Sequence, residues 1–211
     1  MINVKRTAIV LAGALCVPVL TALPSAAAPV PPDNVSVDVV SVDGSGCPAG
    51  TSSVAISNDK TSFTVSYSDF LVYASGNAPP AASRKNCHMT VRVNAPDRWT
   101  YSVSGVDHQG FAGLESGASA VEWTDIYFLG GPQNEPIGGV LKGQYLNEWI
   151  FFDRVSPRRM TWKPCGDDRD LNINTELRLD AGSSDDDKMS FVSMGSTHGS
   201  ASSLFTWRYC P

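Results

Sequence analysis

Hydrophobic residues in this chain recur at every second position. Val35, Val37 and Val39 alternate with Ser36 and Asp38. Val54 and Ile56 lead through an Asn58-Asp59 turn into Phe63, Val65 and Tyr67, which reads as a hairpin. Met89, Val91 and Val93, then Trp99, Tyr101 and Val103, continue the period of two with one wet face each. Residues 121–129 and 149–155 are partly apolar at both parities, the pattern of central strands covered on both sides. Leu171, Ile173, Leu177 and Leu179 alternate most cleanly, and residues 189–192 and 204–209 complete the set. No window shows the i, i+3, i+4, i+7 spacing of an amphipathic helix over three turns. About ten short strands separated by Gly, Pro, Asn and Ser clusters predict an all-β fold. The expected architecture is an antiparallel β-sandwich or jelly roll with little helix.

The amino terminus breaks this pattern. Lys5 and Arg6 precede an apolar run from Thr7 to about Leu23, followed by Pro24, Ser25 and alanines. That is the layout of a secretory signal peptide, residues 1–27, with cleavage expected after Ala27. Pro18 and the alanine run favour removal over retention as an anchor, and Leu15 before Cys16 argues against a lipoprotein. A Pro-rich flexible tail, residues 28–34, then leads to one β-sandwich domain, residues 35–211. No later stretch is long and apolar enough for a membrane helix.

Charge and cysteines narrow the class further. The 211 residues hold 16 Lys plus Arg against 21 Asp plus Glu. Removing residues 1–27 takes away two positive charges and no negative ones, so the formal charge moves from −5 to −7. An acidic chain of this kind is not a phosphate-backbone binder, so nucleic acid is not an expected partner. Cleavage also removes Cys16, leaving Cys47, Cys87, Cys165 and Cys210. An even number suits an oxidising compartment. Of three possible pairings, Cys47 with Cys87 and Cys165 with Cys210 is favoured, because each closes a contiguous half of the domain. With no C-x-x-C and no His at ligand spacing, the cysteines do not read as a metal or redox site.

Several motifs recur in a known order. Gly44-Ser-Gly-Cys-Pro48, Ser83-Arg-Lys-Asn-Cys87, Tyr101-Ser-Val-Ser with Gly110-Phe111, Pro164-Cys-Gly166, Leu171-Asn-Ile-Asn-Thr175 and Trp207-Arg-Tyr-Cys210 span nearly the whole mature chain. Together they resemble the domain-of-unknown-function family 4360, small secreted proteins. The resemblance implies secretion and cysteine pairing, and it brings no catalytic or ligand residues. Trp162-Lys-Pro-Cys165 echoes Trp207-Arg-Tyr-Cys210, and each indole is expected to pack near a disulfide.

Catalytic chemistry finds little support. There is no Gly-x-Ser-x-Gly, and pairing leaves no cysteine to act as nucleophile. His88, His108 and His198 lie far apart in sequence, without His-Glu-x-x-His. Asp107 and His108 are adjacent, so on a strand they face opposite ways and meet only if the segment turns. Polysaccharide cleavage needs two facing carboxylates. Glu122 with Asp125, Glu148 with Asp153, and Asp170 with Glu176 are the available pairs. Only the last shares a face of one strand, at about 20 Å, too far for such chemistry. Asp167-Asp168-Arg169-Asp170 and Asp185-Asp186-Asp187 read as solvated acidic loops; structural calcium there has no motif behind it, and no cofactor is expected. Asn34-Val-Ser36 is a glycosylation sequon if the secreting cell uses such sites.

One row of side chains suits recognition. Asn172, Asn174, Glu176 and Arg178 stand on one face of a strand, about 6.8 Å apart, and offer the donors and acceptors that sugar hydroxyls need. Trp99, Trp123 or Trp149 would complete a glycan platform if one lies alongside. The expectation is a non-catalytic extracellular binding module for cell-wall or environmental polysaccharide. The alternative is a structural protein or a binder of a secreted or surface protein, with a carboxylate-dependent polysaccharide-cleaving enzyme third.

Overall fold

The computed structural model describes residues 29–194 and 200–211. The expected signal peptide, residues 1–27 with Cys16, and His198 lie outside the described residues. Twelve strands form among those described: β1 Ser36–Asp43, β2 Ser52–Ile56, β3 Ser62–Tyr67, β4 Leu71–Ala74, β5 Arg84–Asn94 and β6 Trp99–Leu114. They continue as β7 Ser119–Phe128, β8 Ile137–Lys142, β9 Tyr145–Arg154, β10 Leu171–Asp180, β11 Ser190–Ser193 and β12 Ser200–Tyr209. A short 3-10 turn at Pro80–Ser83 is the one helical element described. None of this is long and apolar enough to be a membrane-crossing helix.

The strands form two antiparallel sheets. The first has the order β1-β5-β10-β7-β8. The second runs β2-β3-β12-β6-β11-β4, with β9 on the free side of β6. Alternation sends Met89, Val91, Leu171, Ile173, Leu177 and Ile126 from the first sheet into the core, where they meet Phe63, Val65, Tyr101, Phe205 and Trp207 from the second. Tyr101 is the hub of the aromatic packing, with ring centroids 5.2 Å from Phe205, 5.4 Å from Phe128 and 5.6 Å from Trp207. Burying each such ring stabilises the sandwich by roughly 1.5–3 kcal/mol. Disulfides join Cys47 to Cys87 and Cys165 to Cys210, the pairs that close each half. In the chain-entropy model, loops of this length contribute roughly 4 kcal/mol each.

Two departures from simple alternation place functional side chains. Along β6, Leu204 of β12 faces Gly105 but Phe205 faces Val103, so Ser104 is an extra residue. This bulge changes the inward parity from odd (Tyr101) to even (Val106, His108). The second departure is β9. It is bonded only to β6 and does not form a central strand covered on both sides; Leu146 is 74% and Phe152 64% exposed. Its mixed apolar pattern arises because Trp149 and Phe151 face the core while Leu146, Ile150 and Phe152 face outward. Residues 121–129 do contain a central strand, β7, but its outer face is open, with Trp123 at 45% exposure.

Candidate functional site

The outer face of the first sheet carries the predicted row. On β10, Leu171, Ile173, Thr175, Leu177 and Leu179 are buried, so Asn172, Asn174, Glu176 and Arg178 all face away from the core. Register adds their neighbours. Asn172 lies between Thr90 and Tyr127, Asn174 between His88 and Asp125, and Glu176 between Asn86 and Trp123. Directly opposed residues in antiparallel strands share a face. Trp123 is therefore the indole beside the row, whereas Trp149 points into the core and Trp99 stacks on Tyr209 with centroids 4.0 Å apart.

Hydrogen bonds organise this face into a centre of amide, hydroxyl and imidazole groups, with the Asp125 carboxyl beside Asn174, between two ion-paired ends. At the centre, Thr90 Oγ1 donates to Asn172 Oδ1 at 2.7 Å and His88 Nδ1 to Asn174 Oδ1 at 2.9 Å. Asn174 Nδ2 donates to the Tyr127 hydroxyl at 3.4 Å. At one end Arg84 and Arg178 grip Glu176 at 2.6 and 2.7 Å. Partial burial works to raise the Glu176 pKa, but the two guanidiniums win and hold its carboxyl below the usual glutamate range. Arg178 also lies 5.4 Å from the centroid of the Trp123 ring. At the other end Arg92 holds Asp170 through two bonds, 2.8 and 3.0 Å.

A second polar group lies inside the sandwich. His108 from β6, Glu122 from β7 and Asp153 from β9 converge between the sheets. His108 is 0% exposed and Glu122 2%. His108 Nδ1 stands 3.5 Å from Glu122 Oε2 and 4.0 Å from Asp153 Oδ2, too far for hydrogen bonds. Both ring nitrogens and both of those oxygens lack a partner. Glu122 Oε1 accepts from the Thr124 hydroxyl at 2.8 Å. Burial pushes the Glu122 carboxyl up to about 8 and the His108 imidazole down to about 4, so both are neutral near pH 7. Gly138 makes the enclosure possible: a Cβ there would stand 2.1 Å from the Glu122 carbonyl oxygen and 2.6 Å from its Oε2. Among the described residues no group of three His, Cys, Asp or Glu side chains is arranged to hold a metal ion.

The other candidates separate. Asp107 and His108 occupy opposite faces of β6, and Asp107 binds Arg154 outside. Glu122 and Asp125 face opposite sides of β7, as do Glu148 and Asp153 on β9. Glu122 and Asp153 instead both approach His108, a convergence across two sheets that spacing along one strand could not reveal. Its signal was parity, since Glu122 shares the inward register of Ala120 and Ile126. The acidic loops are internally bonded: Asp167 accepts from Arg169, and Asp185 from the Asp187 amide. Of the two Trp-x-x-Cys tryptophans, Trp207 is buried, while Trp162 is half-buried beneath Arg208, whose guanidinium lies 4.0 Å from the ring centroid. Asn34 is exposed.

These features define a secreted, disulfide-bonded all-β protein of two packed sheets, with a polar row and an exposed indole on one outer face. The chain belongs to the family described as Domain of unknown function (DUF4360), whose model matches residues 33–210. It is 31% identical over 150 residues to an uncharacterized secreted protein of Arthroderma benhamiae, a match covering 71% of this chain and 61% of the relative, so about three-fifths of that relative's length is spanned. Among solved structures it is similar to the carbohydrate-binding module TmCBM61 in complex with β-1,4-galactotriose, at 9% identity and a TM-score of 0.27, covering 86% of this chain and 92% of that one. It is also similar to the enzymatically active domain of bacteriophage CBA120 tailspike protein 4, at 14% identity and a TM-score of 0.25, covering 81% of this chain and 19% of that one. At those scores neither bears on what this chain binds.

Proposed function

We propose that this protein is a non-catalytic extracellular binding module that takes polysaccharide across the outer face of its first sheet, after removal of residues 1–27 as a signal peptide. The observation that carries this reading is the exposed Trp123 directly beside the Asn172, Asn174, Glu176 row. An indole face supplies apolar area for a sugar ring, and amides and hydroxyls fixed by a rigid sheet supply hydrogen bonds to its rim. Retention on a panel of insoluble polysaccharides, with and without Ca²⁺, tests this reading. Binding to at least one matrix is expected, falling at least about tenfold in Trp123→Ala and in the Asn172→Ala, Asn174→Ala double variant, each with unchanged melting. Failure on every matrix would refute the reading.

A second reading rests on β9. The exposed Leu146, Ile150 and Phe152 lie on the outer face of the other sheet, a row suited to a protein partner. It predicts no glycan retention, and recovery of one defined secreted protein that Phe152→Ser releases.

A further inference from the structure

The two sheets do not close evenly. β8 pairs with β7 only as far as Thr124, which leaves residues 125–128 of β7 as a sheet margin. Two loops, residues 129–136 and 155–170, cover that end. They touch each other where Thr161 donates to Asn134 Oδ1 at 3.1 Å and Arg159 pairs with Glu135. Asn134 also donates to the Ile126 carbonyl and so caps part of the margin.

Beneath the loops is a cleft of about 340 Å³. Its walls include Val103 and Val106 from β6, Ile126 from β7, Ile137 from β8 and Leu171 from β10, with Thr124 and Tyr127 of β7 adding polar atoms. Protein interiors are close-packed, so the apolar side chains along this cleft forgo dispersion contacts that a guest would restore. The volume lies within the range of small-molecule pockets. At the mouth, Gln133, Asn134 and Thr161 present amides and a hydroxyl, and the charges of Arg159 and Glu135 cancel as a pair. The Arg154 guanidinium is engaged with Asp107.

We propose that this cleft is a second binding site, taking a small uncharged molecule with an apolar body and one hydrogen-bonding end. It is separate from the outer sheet face and does not depend on polysaccharide recognition. Its ligand class follows from apolar walls and a charge-balanced, hydrogen-bonding mouth.

Titration with the uncharged fluorophore N-phenyl-naphthylamine tests the assignment on the purified secreted protein. A saturable, single-site rise in emission is expected, and its charged relative anilinonaphthalene sulfonate should bind at least about tenfold more weakly, because the two guanidiniums at the cleft, Arg154 and Arg159, are already paired with carboxylates. Ile137→Trp, which fills the cleft, should weaken the neutral probe by about tenfold or more with melting unchanged. If that variant does not fold, Thr161→Trp at the rim should block the probe to a similar degree. Val40→Ser, exposed on β1 at the far edge of the first sheet, should leave binding as it is. The proposal is overturned by a wild-type protein that shows no saturable binding, by equal binding of the charged probe, by folded cleft variants that bind normally, or by loss of binding in Val40→Ser.

Discussion

Glu176 and Glu122 are the same side chain in neighbouring strands, and the fold drives them in opposite directions. Glu176 lies on the outer face between two guanidiniums, and its pKa falls. Glu122 lies on the inner face with one hydroxyl donor and an unpartnered oxygen, and its pKa climbs to about 8. Water and two half-exposed arginines offset the cost of the outer carboxylate. The inner one avoids the cost of a buried charge only by keeping its proton. Polar residues on a sandwich thus fall into two kinds. Those facing outward can be exchanged for a ligand's hydroxyls, whereas those facing inward tie stability to pH.

The largest expected effect comes from that inner proton. Folding raises the Glu122 pKa from 4.5 to about 8, so the folded state holds a proton that the unfolded chain releases, and stability falls as pH rises through this interval. His108 is lowered from 6.5 to about 4; its contribution is complete above 6.5 and is lost as pH falls toward 4. Between 4.5 and 6.5 the two slopes cancel. Above 6.5 only Glu122 acts. Urea denaturation should therefore show wild type losing about 2 kcal/mol between pH 6.5 and 8, and Glu122→Gln should remove that loss. Equal losses in both proteins would mean that Glu122 is ionised in the folded state.

A smaller effect isolates the one hydrogen bond the inner carboxyl makes. Thr124→Val keeps the shape but deletes the donor to Glu122 Oε1 and the 3.0 Å contact with Thr175 Oγ1. The buried acceptor left behind should cost about 1–2 kcal/mol at pH 6, read from the denaturation midpoint. Combining it with Glu122→Leu should recover part of that loss, because the orphaned oxygen is then gone.

What was legible in the residues divides along the same line. Alternation along one strand sufficed to put Asn172, Asn174, Glu176 and Arg178 on a common face, because β10 runs without a bulge for its full length. It could not say that Trp123 rather than Trp99 or Trp149 stands beside them, since that depends on register between strands. The two halves of β6 each alternate, but the extra Ser104 between them reverses which parity faces inward. That reversal turns His108 toward Glu122. The open face of β9 was equally hidden, because an apolar strand at a sheet margin and one at its centre have the same composition. The inner cluster draws on β6, β7 and β9 at once, and its members betrayed themselves only as polar residues at positions whose neighbours of like parity are apolar.

The smallest expected effect lies on the outer carboxylate and makes the contrast testable from the other side. Glu176→Gln removes the partner of Arg84 and Arg178, whose side chains are 62% and 47% exposed. Pairs so open to solvent are worth under about 1 kcal/mol together. Because the folded pKa of Glu176 is lowered, its contribution is complete above the ordinary value of 4.5 and disappears as pH falls through the folded value. The stability gap between wild type and Glu176→Gln should therefore narrow in acid, opposite in sense to Glu122, and should shrink in half-molar salt, which screens exposed charges. The Glu122 effect should survive the same salt, since no ion reaches a carboxyl enclosed between the sheets. A Glu176 gap that widened in acid or ignored salt would place both carboxyls in one class, and the distinction between an exchangeable outer face and a proton-holding interior would fail.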